Sequence, residues 1–75
     1  MENYADYISI DSGVRFGKPC VAGTRIAVQD ILDWLASGMS FEEILSDFPE
    51  LQMHQIRAAL AFAARREKFT KRVAA

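Results

Sequence analysis

Three places in this 75-residue sequence carry side chains able to do chemistry: the single cysteine Cys20, the single histidine His54, and a glycine-flanked lysine, Gly17-Lys18, followed by Gly23-Thr24. A disulfide needs two thiols and a structural metal needs three or four ligands, so one of each builds neither. Catalysis needs a nucleophile with its base, or an acid and base pair, within reach of each other. No such set stands out, and neither an enzyme, a cofactor nor a metal centre is expected. Cys20 beside Pro19 reads as a buried, idle side chain rather than a reactive thiol. In a phosphate loop the lysine follows the last glycine and precedes Ser or Thr at a helix start; here it follows the first glycine, which rejects nucleotide binding. His54, near the start of a helix, reads as exposed.

The remaining chemistry is electrostatic. A formal net charge of −1 conceals a gradient: residues 1–25 hold three acids and three bases, residues 26–50 six acids and no base, and residues 51–75 six bases with Glu67 alone against them. The last third therefore sums to +5. A basic segment behind an acidic one suits either a polyanion or an acidic partner, the plain alternative being a solvated helix face.

The elements that must position these charges are short. No repeat, low-complexity tract or linker divides the chain, which reads as one domain over 1–75, with a β and loop element over 7–27 and three helices over 28–72. Tyr7 to Asp11 suits a brief strand ending at Ser12-Gly13, residues 17–23 a loop, and Thr24 to Ile26 a returning strand that completes a hairpin or pairs with a second chain. Val28, Ile31, Leu32 and Leu35 then fall at helical spacing until Gly38. Ser40 with Glu43 forms a capping box ahead of Phe41, Ile44, Leu45 and Phe48, and Pro49 stops that second helix. A third, poorly capped helix is expected from about Gln52 to Arg72.

On that helix Met53, Ile56, Leu60 and Ala63 form a core stripe and Ala59, Phe62, Phe69 and Val73 an adjacent apolar one. His54, Arg57, Ala58, Ala61, Arg65, Lys68 and Arg72 make a third face, basic or small throughout. The second helix, a short turn and the third helix have helix-turn-helix dimensions, with Leu45, Leu51 and Ile56 as the joining core. In that arrangement Gln52, His54, Gln55 and Arg57 stand where a recognition helix meets base edges, and Arg65, Lys68 and Arg72 meet phosphates. Glu42, Glu43 and Asp47 must then point away from the nucleic acid. Trp34 is assigned to packing. Arg25 reads as an ion-pair partner of Asp30 or Asp33, with an anion contact kept as the candidate functional role beside it.

The stretch Gly17, Lys18, Pro19, Cys20, Val21, Ala22, Gly23, Thr24, Arg25, Ile26, Ala27, Val28 resembles the signature of the bacterial domain of unknown function 433 family. The likeness continues through Gly38, Ser40, Glu42, Glu43, Ile44, then Phe48, Pro49, Leu51 and Ile56 to Ala63, covering residues 7–65. It implies a mostly α, homeodomain-like three-helix helix-turn-helix with a short N-terminal β hairpin. It also implies an antitoxin of the VapB type encoded beside a PIN-like ribonuclease toxin. Ala22 stands where a basic residue is common, Ala27 where proline is, Gln52 where a threonine cap is, and His54-Gln55 where an acidic pair is. Against the carboxylate cluster of a PIN-type nuclease, Arg65, Arg66, Lys68, Lys71 and Arg72 supply charge while Phe62, Phe69 and Val73 fill an apolar groove.

Size adds an expectation of its own. A domain this small buries about 60% of the surface its unfolded chain exposes, and its core supplies about 3–5 kcal/mol, which favours a homodimer. The longest apolar run, Ala58 to Ala64, is too short to span a bilayer, and the acidic N-terminus lacks the features of a secretory signal, so a cytoplasmic location is expected. The function expected is a DNA-binding autoregulator and antitoxin. The competing reading is a protein-interaction module whose basic helix docks on an acidic partner.

Overall fold

The computed structural model describes the backbone of residues 4–74 and the side chains of residues 5–66. A 3-10 turn (Tyr4–Tyr7) leads into β1 (Ile8–Ser9), which pairs antiparallel with β2 (Cys20–Val21), Ile8 opposite Val21 and Ser9 opposite Cys20. Three helices follow: α1 (Val28–Ala36), α2 (Phe41–Asp47) and α3 (Met53–Ala74). The chain is mostly α with a small N-terminal hairpin, as expected.

The hairpin's second strand lies earlier than the sequence suggests. Thr24 and Arg25 are not strand but turn: the Thr24 N–H donates to the Val21 carbonyl at 3.0 Å, and its hydroxyl both donates to that carbonyl at 2.9 Å and accepts the Ile26 N–H at 3.0 Å. Gly23, at φ +81°, supplies the left-handed residue that this turn needs. Beyond it the chain returns along β2, with the Val21 N–H on the Ile26 carbonyl and the Val28 N–H on the Pro19 carbonyl, both at 2.9 Å. The loop segment Cys20–Val21 thus becomes the inner strand, paired on both sides and fully buried.

Each helix begins with the same device. The side chain at its third position reaches back to the backbone N–H just before the helix: Asp30 to Ala27 at 3.0 Å, Glu43 to Ser40 at 2.8 Å, and Gln55 to Gln52 at 2.7 Å. The third helix is therefore better closed than its Gln52 suggests, and Leu51 and Ile56, both buried, flank the junction as a hydrophobic staple. At the other end of α1 the Met39 N–H bonds the Trp34 carbonyl and the Gly38 N–H the Leu35 carbonyl, a Schellman stop built on Gly38 at φ +104°.

The core joins Val21 and Ile26 from the hairpin to Val28 and Ile31 of α1, Ile44 of α2, Leu51, and Ile56 and Ala59 of α3. Trp34 does pack, as expected: its ring stacks on Phe48 with centroids 4.2 Å apart, tying α1 to the end of α2. The 3-10 turn and β1 lie against α3, so the N-terminal segment covers part of that helix.

Between β1 and β2 the backbone turns through three successive left-handed residues, Arg15 at φ +52°, Phe16 at +58° and Gly17 at +82°. Phe16 is 99% exposed there, with no packing to offset a conformation that costs a non-glycine residue about 1–2 kcal/mol. Asparagine adopts this conformation more readily. Phe16→Asn is therefore expected to raise the thermal midpoint slightly, by an amount equivalent to at most about 1 kcal/mol. A lowered midpoint in a calorimetric scan would mean that the ring contributes to stability.

Candidate nucleic-acid interface

The third helix turns its apolar positions inward and leaves a charged arc outward. Ile56, Ala58 and Ala59 are buried, Phe62 and Ala63 half-buried, and Arg57, Ala61, Ala64 and Arg65 exposed. Arg57 and Arg65 lie two turns apart on the same solvent face, about 12 Å along the axis at 1.5 Å per residue. Neither has an ion-pair or hydrogen-bond partner among the described residues, and the ion pair that forms among them, Arg15 with Asp30, involves neither.

This face is narrower than helical periodicity alone implies. Ala58, assigned to it from the sequence, is 4% exposed because the N-terminal segment packs over that side of α3. His54 is exposed as expected, yet its ring meets Tyr7 edge-on with centroids 4.9 Å apart. Gln55 spends its side-chain oxygen on the Gln52 N–H, and the Gln52 side chain stays exposed. Of the four residues placed near base edges, Gln52 and Arg57 are thus exposed without such ties, while His54 and Gln55 are held by the protein. The side chains of Lys68, Phe69, Lys71, Arg72 and Val73 lie outside the described residues.

The acidic second helix is partly accounted for. Glu43 is turned back onto the start of its own helix, and Glu42 and Asp47 are exposed. Cys20 is buried, its thiol 3.3 Å from the Lys18 carbonyl, which suits the idle role. Among the described residues no group of three potential ligands could hold a metal ion, and no helix is long and apolar enough to cross a membrane.

The ion pair expected for Arg25 does not form. Asp30 is taken by Arg15, whose guanidinium donates to Asp30 Oδ2 and to the Arg25 carbonyl, each at 2.8 Å, while Asp33 accepts from the Gln29 amide at 2.9 Å. The left-handed turn at residues 15–17 is what sends Arg15 across to the start of α1, leaving the Arg25 side chain exposed. Burial alone would raise the Asp30 pKa. The Arg15 hydrogen bond, the Ala27 N–H and the charges of Arg15 and Lys18 outweigh that effect and hold the carboxyl below its ordinary range.

Phe62 and Arg66, assigned to partner binding, sit together elsewhere. They form one wall of an open groove of about 480 Å³, facing Val28 and Leu32 of α1, with Lys18 and Pro19 closing it from the lead-in to β2. The Arg66 guanidinium carbon stands 5.5 Å from the centre of the Phe62 ring, within cation–π range. Lys18, which the sequence suggested only as part of a rejected phosphate loop, is a groove residue. No local pattern announces this, because the groove is assembled from three separated segments.

The family described as "Protein of unknown function (DUF433)" matches residues 8–63. A solved structure of a DUF433 member from Anabaena variabilis ATCC 29413 is similar to the chain at 26% identity with a TM-score of 0.78, the likeness covering 97% of this chain and 77% of that one. Among curated proteins none matches.

Proposed function

Since the chain belongs to the DUF433 family, whose function is undescribed, its role must be argued from its own surfaces, and we propose that it is a non-enzymatic, dimeric DNA-binding autoregulator of a toxin–antitoxin pair. The observation that carries the DNA half is the exposed pair Arg57 and Arg65 on the outer face of α3, without carboxylate partners among the described residues. Their separation of about 12 Å is comparable to the width of the major groove, so one helix can reach phosphates on both rims. A dimer doubles the number of such contacts, and each phosphate neutralised steepens the dependence on salt.

The test is anisotropy of a labelled fragment from upstream of the chain's own gene, titrated between about 50 and 200 mM salt. Binding that weakens with salt is expected. Replacing both arginines, Arg57→Gln with Arg65→Gln, is expected to lower the log–log salt slope by about 2 per bound protomer. The reversals Arg57→Glu and Arg65→Glu are expected to abolish binding at the low-salt end. No binding there, or binding indifferent to these changes, refutes the DNA reading.

The antitoxin half follows from the resemblance and implies a PIN-like ribonuclease as partner, recognised by the cations at the end of α3. The cation-rimmed groove beside Phe62 and Arg66 favours a second reading, a protein-interaction module without DNA binding. Co-purification with the product of the adjacent gene, together with a negative DNA titration, selects it.

A further inference from the structure

We infer that Phe16 is a base-stacking contact: its ring lies against the face of a nucleobase in the bound nucleic acid, while Lys18 and Arg25 take phosphates beside it. This rests on the DNA half of the function proposed above and adds a second contact surface, distant in sequence from Arg57 and Arg65.

The placement of the ring is the first observation. Phe16 is 99% exposed on a backbone at φ +58°, between Arg15 and Gly17, which are left-handed as well. A phenylalanine holds that conformation at a cost, and a ring in open water makes no packing contact to offset it. Strain kept without return to the fold points to a side chain held out for a ligand. The turn is also fixed before any ligand arrives. The Val14 N–H bonds the Asp11 carbonyl at 2.9 Å, and the Gly17 and Lys18 N–H groups bond the Val14 and Arg15 carbonyls, each at 3.2 Å. Arg15 clamps the turn to the start of α1 through Asp30. A ring held in place in advance loses little freedom on binding.

Charge is the second observation. Lys18 leaves the turn two residues after the ring, and Arg25 is brought beside it by its carbonyl, which accepts from the Arg15 guanidinium at 2.8 Å. Both side chains are exposed, and neither has an ion-pair or hydrogen-bond partner among the described residues. Of the carboxylates that the turn's hydrogen bonds touch, Asp30 is held by Arg15 and Asp11 accepts the Gly13 N–H at 2.8 Å. Two cations thus stand against one carboxylate that is already engaged.

The surroundings of the ring decide between a base and a protein pocket. An aromatic anchor of a protein interface sits among other apolar groups that exclude water. Phe16 lacks them: Val14 is half-buried, Gly13 and Gly17 carry no side chain, and Ile10, the other large apolar residue in the open among the described ones, follows β1 directly. Stacking needs only the face of the ring and a cation for the phosphates, and a glycine on each side lets a nucleic-acid backbone come close.

The test titrates the full chain into the labelled upstream duplex and, separately, into one of its single strands, each also prepared with 2-aminopurine at successive positions. Phe16→Asn, which relieves the backbone, is expected to keep or raise the thermal midpoint and yet weaken binding about tenfold, with the salt slope unchanged. Phe16→Trp is expected to keep the affinity, and Phe16→Leu, apolar but without a π face, to lose as much as Phe16→Asn. Should Phe16→Asn lower the midpoint, Phe16→Leu against Phe16→Trp carries the comparison. Lys18→Gln and Arg25→Gln are each expected to lower the log–log salt slope on the duplex by about 1 per bound protomer. Wild type, but not Phe16→Asn, is expected to change the emission of 2-aminopurine at particular positions. A preference for the duplex that depends on Phe16 assigns the ring to a base step it opens, and a preference for the single strand to a base already unpaired. The proposal is overturned if Phe16→Asn and Phe16→Leu bind as wild type does. It is also overturned if their loss of DNA accompanies dissociation of the free protein in sedimentation, which would make a second copy the partner of the ring, or if Phe16→Asn keeps the DNA and loses only the neighbouring gene's product. Unchanged affinity in the Phe16 variants leaves the DNA reading standing on Arg57 and Arg65, whereas no binding by wild type ends both.

Discussion

Ile56→Ala is expected to leave the chain without a cooperative thermal transition at room temperature and above. Ile56 is fully buried where α3 meets Ile31 of α1 and Ile44 of α2, and it forms the staple with Leu51 that closes the α2–α3 turn. Truncating a buried isoleucine to alanine costs about 2–5 kcal/mol through lost transfer energy and the cavity left behind. A core of this size supplies only about 3–5 kcal/mol in all, so the loss consumes most or all of it. Ile56→Val removes one methyl group and is expected to cost about 0.5–1.5 kcal/mol, leaving a folded chain with a lower midpoint. Far-ultraviolet dichroism during a thermal scan checks both. A folded Ile56→Ala chain with a midpoint near wild type would show that α3 is not held through this residue.

Asp30→Ala is expected to cost about 1.5–3 kcal/mol at neutral pH, because one carboxylate carries two charge-assisted contacts. It pairs with Arg15, which tethers the left-handed turn, and it accepts the Ala27 N–H at the start of α1. Both partners keep some exposure, with side chains 32% and 27% accessible, which keeps the cost below that of a fully buried pair. The pH dependence has a definite sign. The Asp30 carboxyl is held below its ordinary range in the folded chain, so the stability it adds is fully present above its unfolded value of about 4 and is lost as pH falls through the lower folded value. Wild type is accordingly expected to lose stability in that acid window, while Asp30→Ala loses less and the two chains converge. Asp30→Asn keeps an acceptor for Ala27 and is expected to fall between them. Urea titrations at neutral pH and across the acid range provide the measurement, and a gap that widens on acidification would contradict this account.

Much of the helical architecture is legible in the sequence because its signals are local. Val28, Ile31, Leu32 and Leu35 mark α1, Gly38 stops it, Ser40 with Glu43 opens α2, and Pro49 follows α2. The second strand is not legible, because two buried residues, Cys20 and Val21, are too short a run to alternate. Two of the three helix starts are also obscure. Asp30 and Gln55 close α1 and α3 from the third position, but Ala27 and Gln52 lack the hydroxyl or carboxylate that usually accompanies such a closure. For the candidate interface, the spacing of Arg57 and Arg65 correctly gives one outward face. Ala58 and His54 depart from the simple pattern because residues from the far end of the chain pack beside them, an arrangement helical periodicity cannot contain. Arg15 is missed for the same reason: fifteen positions separate it from Asp30.

The packing of Tyr4–Tyr7 and β1 on α3 carries a consequence for how this protein is made. Tyr4–Tyr7 leaves the ribosome before α3 and finds its seat only when that helix emerges, so the apolar surfaces the two share stay open while the residues between them are made. Exposed apolar surface of that kind is what chaperones and proteases act on.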